Sequence, residues 1–497
     1  MILRSCSTAA LLFSIAFSAH AKLTCADVLK ALSRDLVEAT CFESTDLTTK
    51  NEQTTPPDNS IATLPPLAFT PRTDRGVISP NAPDRTPITK AVPGLQVQAR
   101  IAGDPTNQAR FLLRLPNDWN GRLVVAGASG TRSEFNGDFA WSDYVVQKGY
   151  AYASQNKGVL NLRLSTAADP LACRLNPDLA VFVHFFDNDD GQPFTRWAQF
   201  MIKAGEIARE GVKAAYGPPP RYTYAVGTSN GGYQVRRAIE EAPHVFDGGV
   251  DWEGTFVDPH APNILTDLPP AVLNFPDYRA SGFNTSTTAA KNIVAAGYPP
   301  DIASDIGATP TTLWNNNWNS FWEVTLCQWQ KRLDPTYNTY VSGTGTYNYI
   351  NRLSVSNVGA EVAAFQNTGR ITRPLITVQG TMDSLLPIDH HGRAYARKVE
   401  ASREQRKDDD DDHDRDHGKG PAYRLYEVQN GNHIENYKQL NFSKLEFIQP
   451  HAQRSLDLLV DHVERGADLP PSQCIGRGSS ISDSPTQPGH CESFFVP

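Results

Sequence analysis

The sequence predicts an α/β fold, a mostly parallel sheet covered by helices on both faces and interrupted by one large insertion. Three observations predict it. Apolar runs of strand length alternate with amphipathic stretches of helical spacing as far as Trp252, the signature of parallel strands joined by crossover helices. That alternation stops across 253–372 and resumes at Pro374. Between one strand and one helix stands the tight turn Gly227-Thr-Ser229-Asn-Gly231.

The chain has 497 residues, 40% of them hydrophobic and 20% charged, enough for a substantial core. A net charge of −8 argues against nucleic acid and against anionic membrane as partners. Arg4, the apolar stretch Ala9–Ser18 and the small residues of Ala19-His-Ala21 read as a signal peptide over 1–21, with the mature chain starting near Lys22. The apolar stretch is too short to span a bilayer, so a secreted or periplasmic protein is expected. Cleavage would remove Cys6 and leave Cys25, Cys41, Cys173, Cys327, Cys474 and Cys491. An even number in an oxidising compartment reads as disulfides. Cys25–Cys41 and Cys474–Cys491 are the natural local loops, with Cys173–Cys327 remaining.

The elements follow in order. A short amphipathic helix is expected from Lys22 to about Phe42, and an irregular surface segment over 43–92. Gly94–Ile101 and Ala109–Leu115 alternate as strands, and Gly121–Ala126 is an apolar run suited to a sheet interior. The turn Gly127-Ala-Ser-Gly130 follows it. Phe139–Lys148 reads as a helix, Gly149–Ser154 as a strand, and Ala198–Tyr216 as a long helix stopped by Gly217-Pro-Pro-Pro. Tyr222 starts the next strand, and Phe246–Trp252 is another. The first part of the core is thus 22–252. Residues 253–372, with Trp314, Trp318, Trp322 and Trp329 among many Asn, Thr and Pro, read as an inserted lid domain. The core's second part, 373–497, carries the strands Pro374–Gln379 and Tyr423–Val428 and a closing helix from Phe447 to about Arg465.

Gly227-Thr-Ser229-Asn-Gly231 fits G-x-S-x-G between strand and helix, the nucleophile elbow. The glycines are needed because a Cβ two residues either side of the serine would clash. Ser229 is then expected in a strained conformation at a helix N-terminus, where free N–H groups favour developing negative charge. A serine hydroxyl needs an imidazole to take its proton and a carboxylate to orient that imidazole. Asp383 lies just past the strand Pro374–Gln379 and His433 just past Tyr423–Val428, in the chain order Ser, Asp, His of α/β-hydrolases. Asp251, Asp389, His390, His391 and Glu435 are competitors close by. The backbone N–H of Asn230 should form half an oxyanion hole, with Gly130 or Thr131 supplying the other half. Trp314, Trp318 and Trp322 either form the core of the insertion or present a wall for a substrate ring. The aspartate run Asp408–Asp416 lacks the ordered spacing of a calcium loop and reads as a solvated charge run.

With these motifs the sequence resembles the tannase/feruloyl esterase family. The resemblance rests on Asp118-Trp-Asn-Gly-Arg-Leu123, Gly127–Gly130, Gly149–Ser154, Gly227–Gly232, Gly380–Pro387 and Arg424–His433. It implies an α/β-hydrolase core with a large lid, and secreted serine esterases acting on phenolic acid esters. It puts Ser229, Asp383 and His433 on the family's triad and Gly130 or Thr131 on its oxyanion turn. The chain departs from the family in two ways. The cysteines usual before the serine and after the histidine are Thr228 and Ile434 here, and no calcium loop is found in 253–372. The reading is therefore a serine carboxylic-ester hydrolase without cofactor or metal, for a small or oligomeric ester. Its alternatives are a hydrolase of aliphatic hydroxy-acid oligoesters, such as hydroxybutyrate oligomers, and a non-catalytic binding protein on a hydrolase scaffold.

Overall fold

The computed structural model describes residues 24–55, 86–130, 133–159, 163–184, 194, 196–307, 311–410, 421–486 and 489–497. The expected signal peptide, Thr131 and most of the aspartate run lie outside them.

Thirteen strands are assigned among the described residues. The first five are β1 (Leu36–Ser44), β2 (Gly94–Ile101), β3 (Arg110–Pro116), β4 (Arg122–Gly127) and β5 (Ala151–Gln155). Three short ones follow, β6 (Arg163–Ser165), β7 (Cys173–Arg174) and β8 (Phe182–His184), forming a small sheet of their own. The rest are β9 (Tyr222–Thr228), β10 (Gly248–Trp252), β11 (Leu375–Gly380), β12 (Tyr423–Val428) and β13 (Gln473–Ile475). Ten strands make the main sheet in the order β1-β2-β3-β5-β4-β9-β10-β11-β12-β13. The pairs from β5 through β13 are all parallel, and β1, β2 and β3 add an antiparallel edge.

The central strands are buried on both faces, which is why they read as unbroken apolar runs. One face packs against the helices Arg196–Tyr216, Asn230–Glu241 and Gly392–Asp410, through Met201, Ile207, Val235, Ile239 and Tyr395. The other face packs against Gln449–Arg465, through Ala452, Leu456 and Leu459. Between β10 and β11 the chain leaves the sheet and, among the described residues, builds six helices, from Ile264–Ala280 to Val358–Ala363, around a separate aromatic core.

Two sequence expectations change. The helix expected over 22–42 is a helix only at Cys25–Leu32, and the chain then turns back as β1 against β2. Val37, Thr40 and Phe42 favour the strand, and the Cys25–Cys41 disulfide holds strand and helix together. The helix expected over Phe139–Lys148 is a π-helical turn, Asp138–Ser142, followed by one short α-helix, Asp143–Val146. The other two disulfides are Cys474–Cys491, the second local loop expected, and Cys173–Cys327, the pair left over. Among the described residues no helix is long and apolar enough to cross a membrane.

Candidate active site

The strand ends converge on Ser229. β9 finishes at Thr228, and Ser229 takes φ 60° and ψ −124° before the helix Asn230–Glu241 begins. A non-glycine residue holds such a conformation only where its surroundings impose it. They do so here through backbone crowding. A Cβ on Gly231 would lie 2.6 Å from the Gly127 carbonyl oxygen, and one on Gly127 would lie 2.6 Å from the Gly231 carbonyl oxygen. The Ser229 N–H donates to the Trp252 carbonyl at 2.9 Å, so the end of β10 also fixes the turn. Asn230 opens the helix, where backbone N–H groups have no intrahelical acceptor.

Asp383 and His433 meet directly. Their loops leave the ends of β11 and β12, which approach closely because Gly380 and Gly431 face each other without side chains. His433 Nδ1 lies 2.9 Å from Asp383 Oδ2. The other oxygen, Oδ1, accepts the N–H groups of Leu385 at 2.9 Å and Leu386 at 2.7 Å, which locks the carboxylate's orientation. Ser229, Asp383 and His433 are 7%, 0% and 2% exposed. Among the described residues the Ser229 hydroxyl makes no hydrogen bond to His433. The loop after β10 links the two sides instead. Thr255 N–H donates to the Ser229 carbonyl at 3.4 Å, and Glu253 Oε2 lies 3.6 Å from His433 Nδ1. Such bonds commonly tighten only when substrate is bound.

The competitors are engaged elsewhere. Asp251 is buried against Arg236 Nε at 2.6 Å and accepts the Gly254 N–H at 2.7 Å. Glu435 accepts the N–H groups of Ile448 and Gln449 at the start of the closing helix. Asp389 pairs with Arg393 at 3.0 Å. His390 lies 3.0 Å from Asp267 in the insertion. His391 accepts the Phe256 N–H at 2.9 Å, and burial pushes it well below the usual histidine range.

The turn after β4 is held by two side chains that the sequence reading did not single out. Buried Lys157 donates to the carbonyls of Ser129, at 2.6 Å, and Gly130. Gln234, on the elbow helix, donates to the Ala128 carbonyl at 2.8 Å. Gln234 also accepts the Ala128 N–H at 3.3 Å, and Asn136 accepts the Ser129 N–H at 3.3 Å, so the N–H of Gly130 is the candidate donor of this turn. A lysine just past a strand carries no signal of this in sequence.

The tryptophans are a correction. Trp314, Trp318 and Trp322 are 1%, 1% and 0% exposed and pack on Tyr278, Phe275 and Tyr298 with ring centroids 5.2, 4.8 and 5.5 Å apart. They form the insertion's core, not an open wall. Trp322 Nε1 also donates to the Ser384 carbonyl at 2.7 Å, tying the insertion to the loop that carries Asp383.

The solved structure of feruloyl esterase B from Aspergillus oryzae overlays on this chain with a TM-score of 0.52, covering 90% of this chain and 91% of that one at 13% identity. The fold is that of an α/β-hydrolase. At the level of fold this bears out the resemblance read from the motifs. Within that fold, residues 340–487 match the family model described as 3HB-oligomer hydrolase. This stretch contains Asp383 and His433. The D-(-)-3-hydroxybutyrate oligomer hydrolase of Burkholderia thailandensis is 31% identical over 121 residues, and that of Burkholderia mallei is 29% identical over the same length. The matches cover 24% of this chain and 15% of each of those proteins.

Proposed function

We propose that this chain is a secreted carboxylic-ester hydrolase that works through an acyl-enzyme at Ser229. The observation that carries the reading is the buried hydrogen bond from His433 to Asp383, at strand ends beside a serine held at φ 60°. With Nδ1 of His433 on Asp383, Nε2 is the nitrogen that takes the Ser229 proton as Oγ attacks the ester carbonyl. The tetrahedral oxyanion is received by the N–H of Asn230 and by that of Gly130 or Thr131. His433 then returns the proton to the departing alcohol, and water releases the acid by the same route. Residues 253–372 act as a lid over this site. Export through the segment 1–21 agrees with the three disulfides.

For the substrate, the match to the 3HB-oligomer hydrolase family model favours an aliphatic hydroxy-acid oligoester, since it spans the loops of Asp383 and His433. The second reading, a phenolic acid ester, is favoured by the motifs from Asp118 to Gly232 together with Gly380–Pro387 and Arg424–His433. Initial rates on a 3-hydroxybutyrate dimer, methyl ferulate and methyl gallate separate the two. The expected result is faster hydrolysis of the dimer, with Ser229→Ala lowering kcat by roughly 10⁴-fold or more. Equal rates for wild type and Ser229→Ala on a hydrolysed ester would contradict the mechanism.

A further inference from the structure

Glu253 is the first residue past β10, and the sequence alone assigns it only to the start of the insertion. It sits in left-handed backbone at φ 53°, with its side chain fully buried. Oε2 lies 3.6 Å from His433 Nδ1, the nitrogen that Asp383 holds at 2.9 Å. Its remaining partners are donors, Trp252 Nε1 to Oε2 at 3.1 Å and Gly380 N–H to Oε1 at 3.3 Å. Ligand atoms of Glu253, Asp383 and His433 all lie within 4.8 Å of one another. Two carboxyl groups this close and this deeply buried cannot both ionise beside a neutral imidazole without a large cost, so one holds a proton. Burial, and after it the charge of Asp383, raise the Glu253 carboxyl above the ordinary carboxylate range, while His433 opposes them. The other titratable groups packed around the cluster do not compete for this role. His391 is held neutral by burial, Asp251 is paired with Arg236, and burial pushes the Tyr298 hydroxyl well above its usual range.

Resting on the reading of Ser229, His433 and Asp383 as the catalytic set, we propose that Glu253 is a second acid of this site. It is a positioning residue that acts through His433 and takes over the imidazolium when Asp383 carries no charge. With Asp383 ionised, Glu253 keeps its proton. With Asp383 neutral, the lesser of the two causes that raise Glu253 is gone while burial remains, and the imidazolium of His433 then favours the Glu253 carboxylate as the partner of Nδ1.

The test is a cycle of Glu253→Gln, Asp383→Asn and the double variant. It is read by kcat/KM against pH and by carbon-labelled histidine NMR titration of His433. Glutamine removes the charge and keeps one acceptor oxygen, for either the Trp252 or the Gly380 donor. Loss of the acid's charge from a Ser-His-Asp triad typically lowers kcat by about 10⁴-fold. Here Asp383→Asn is expected to cost only about 10²-fold, and adding Glu253→Gln to cost about 10²-fold more. Glu253→Gln alone should change kcat/KM by less than about tenfold. In the Asp383→Asn background it should lower the His433 pKa by about a unit or more. If Asp383→Asn is already as impaired as the double variant, and the His433 pKa ignores residue 253 in both backgrounds, Glu253 only packs and the proposal falls. Should that double variant not fold, Glu253→Asp placed in the Asp383→Asn background and compared with Asp383→Asn alone decides. A shortened side chain should lose the support, and unchanged activity and His433 pKa would overturn the proposal. If wild type hydrolyses no ester while the His433 pKa still depends on Glu253, the esterase reading fails and this one stands.

Discussion

At the scale of single residues, the site is defined by contacts that leave no room for change. Gly231→Ala would drive a Cβ to 2.6 Å from the backbone oxygen of Gly127, which no side-chain rotation relieves. It is expected to cost roughly 2 kcal/mol of stability or more and to abolish turnover. Thermal unfolding beside an activity assay checks both. Lys157→Met leaves the Ser129 and Gly130 carbonyls without their buried donor. A drop in kcat of about tenfold or more is expected, with KM little changed, because in the proposed mechanism the turn acts on the transition state. Steady-state kinetics would show it, and a pure KM effect would contradict the role given to Lys157. The difference between these residues explains what was legible. Ser229, Asp383 and His433 could be read because each follows a strand and the chain order constrains the choice. Glu253 and Lys157 could not, since one carboxylate or one lysine beyond a strand becomes meaningful only when a distant loop folds onto it.

At the scale of elements, apolar runs and helical spacing located the central strands and the long helices to within a few residues. They failed where tertiary pairing overrides local pattern. The stretch after Leu32 is amphipathic enough to continue as a helix, yet Leu36–Ser44 gains a ladder of hydrogen bonds to β2 instead. Strand β13 is only three residues, too short for any periodicity, and exists because Cys474 is tied to Cys491 beside β12. The turn at Asp138–Ser142 is shaped by a buried ion pair, Asp138 with Arg114 at 2.8 Å. Its neighbour Asp143 accepts both the N–H and the hydroxyl of Thr49, at 2.9 and 2.6 Å, and burial pushes its carboxyl up to about 7. An acid raised in this way contributes its stability fully below the unfolded value and loses it as pH rises through the folded one. For Asp143 the loss runs from about pH 4 to about pH 7. Asparagine can keep both bonds to Thr49 without the charge. Asp143→Asn should therefore match wild type near pH 4 and exceed it by on the order of 4 kcal/mol at most near pH 8. Denaturant unfolding at the two pH values tests this, and a constant difference across them would contradict it.

At the scale of the whole molecule, the insertion is joined to the core at several points. Trp322 bonds the Ser384 carbonyl, His390 reaches Asp267, and Cys173–Cys327 closes a loop with a sequence separation of 154. Replacing both cysteines of that bond by serine is expected to cost about 4 kcal/mol, visible as a lower Tm under oxidising conditions. Under reducing conditions the two proteins should converge. The aromatic residues that hinted at a binding wall in sequence serve to hold this insertion together, and composition alone cannot separate the two uses. The central claim concerns Ser229 as nucleophile, and covalent capture tests it most directly. Purified protein treated with a fluorophosphonate and analysed by peptide mass spectrometry should carry one adduct, on Ser229. Labelling should vanish in Ser229→Ala and slow by orders of magnitude in His433→Ala. Wild-type protein that is folded yet unlabelled, or labelled equally well in Ser229→Ala, would contradict the account.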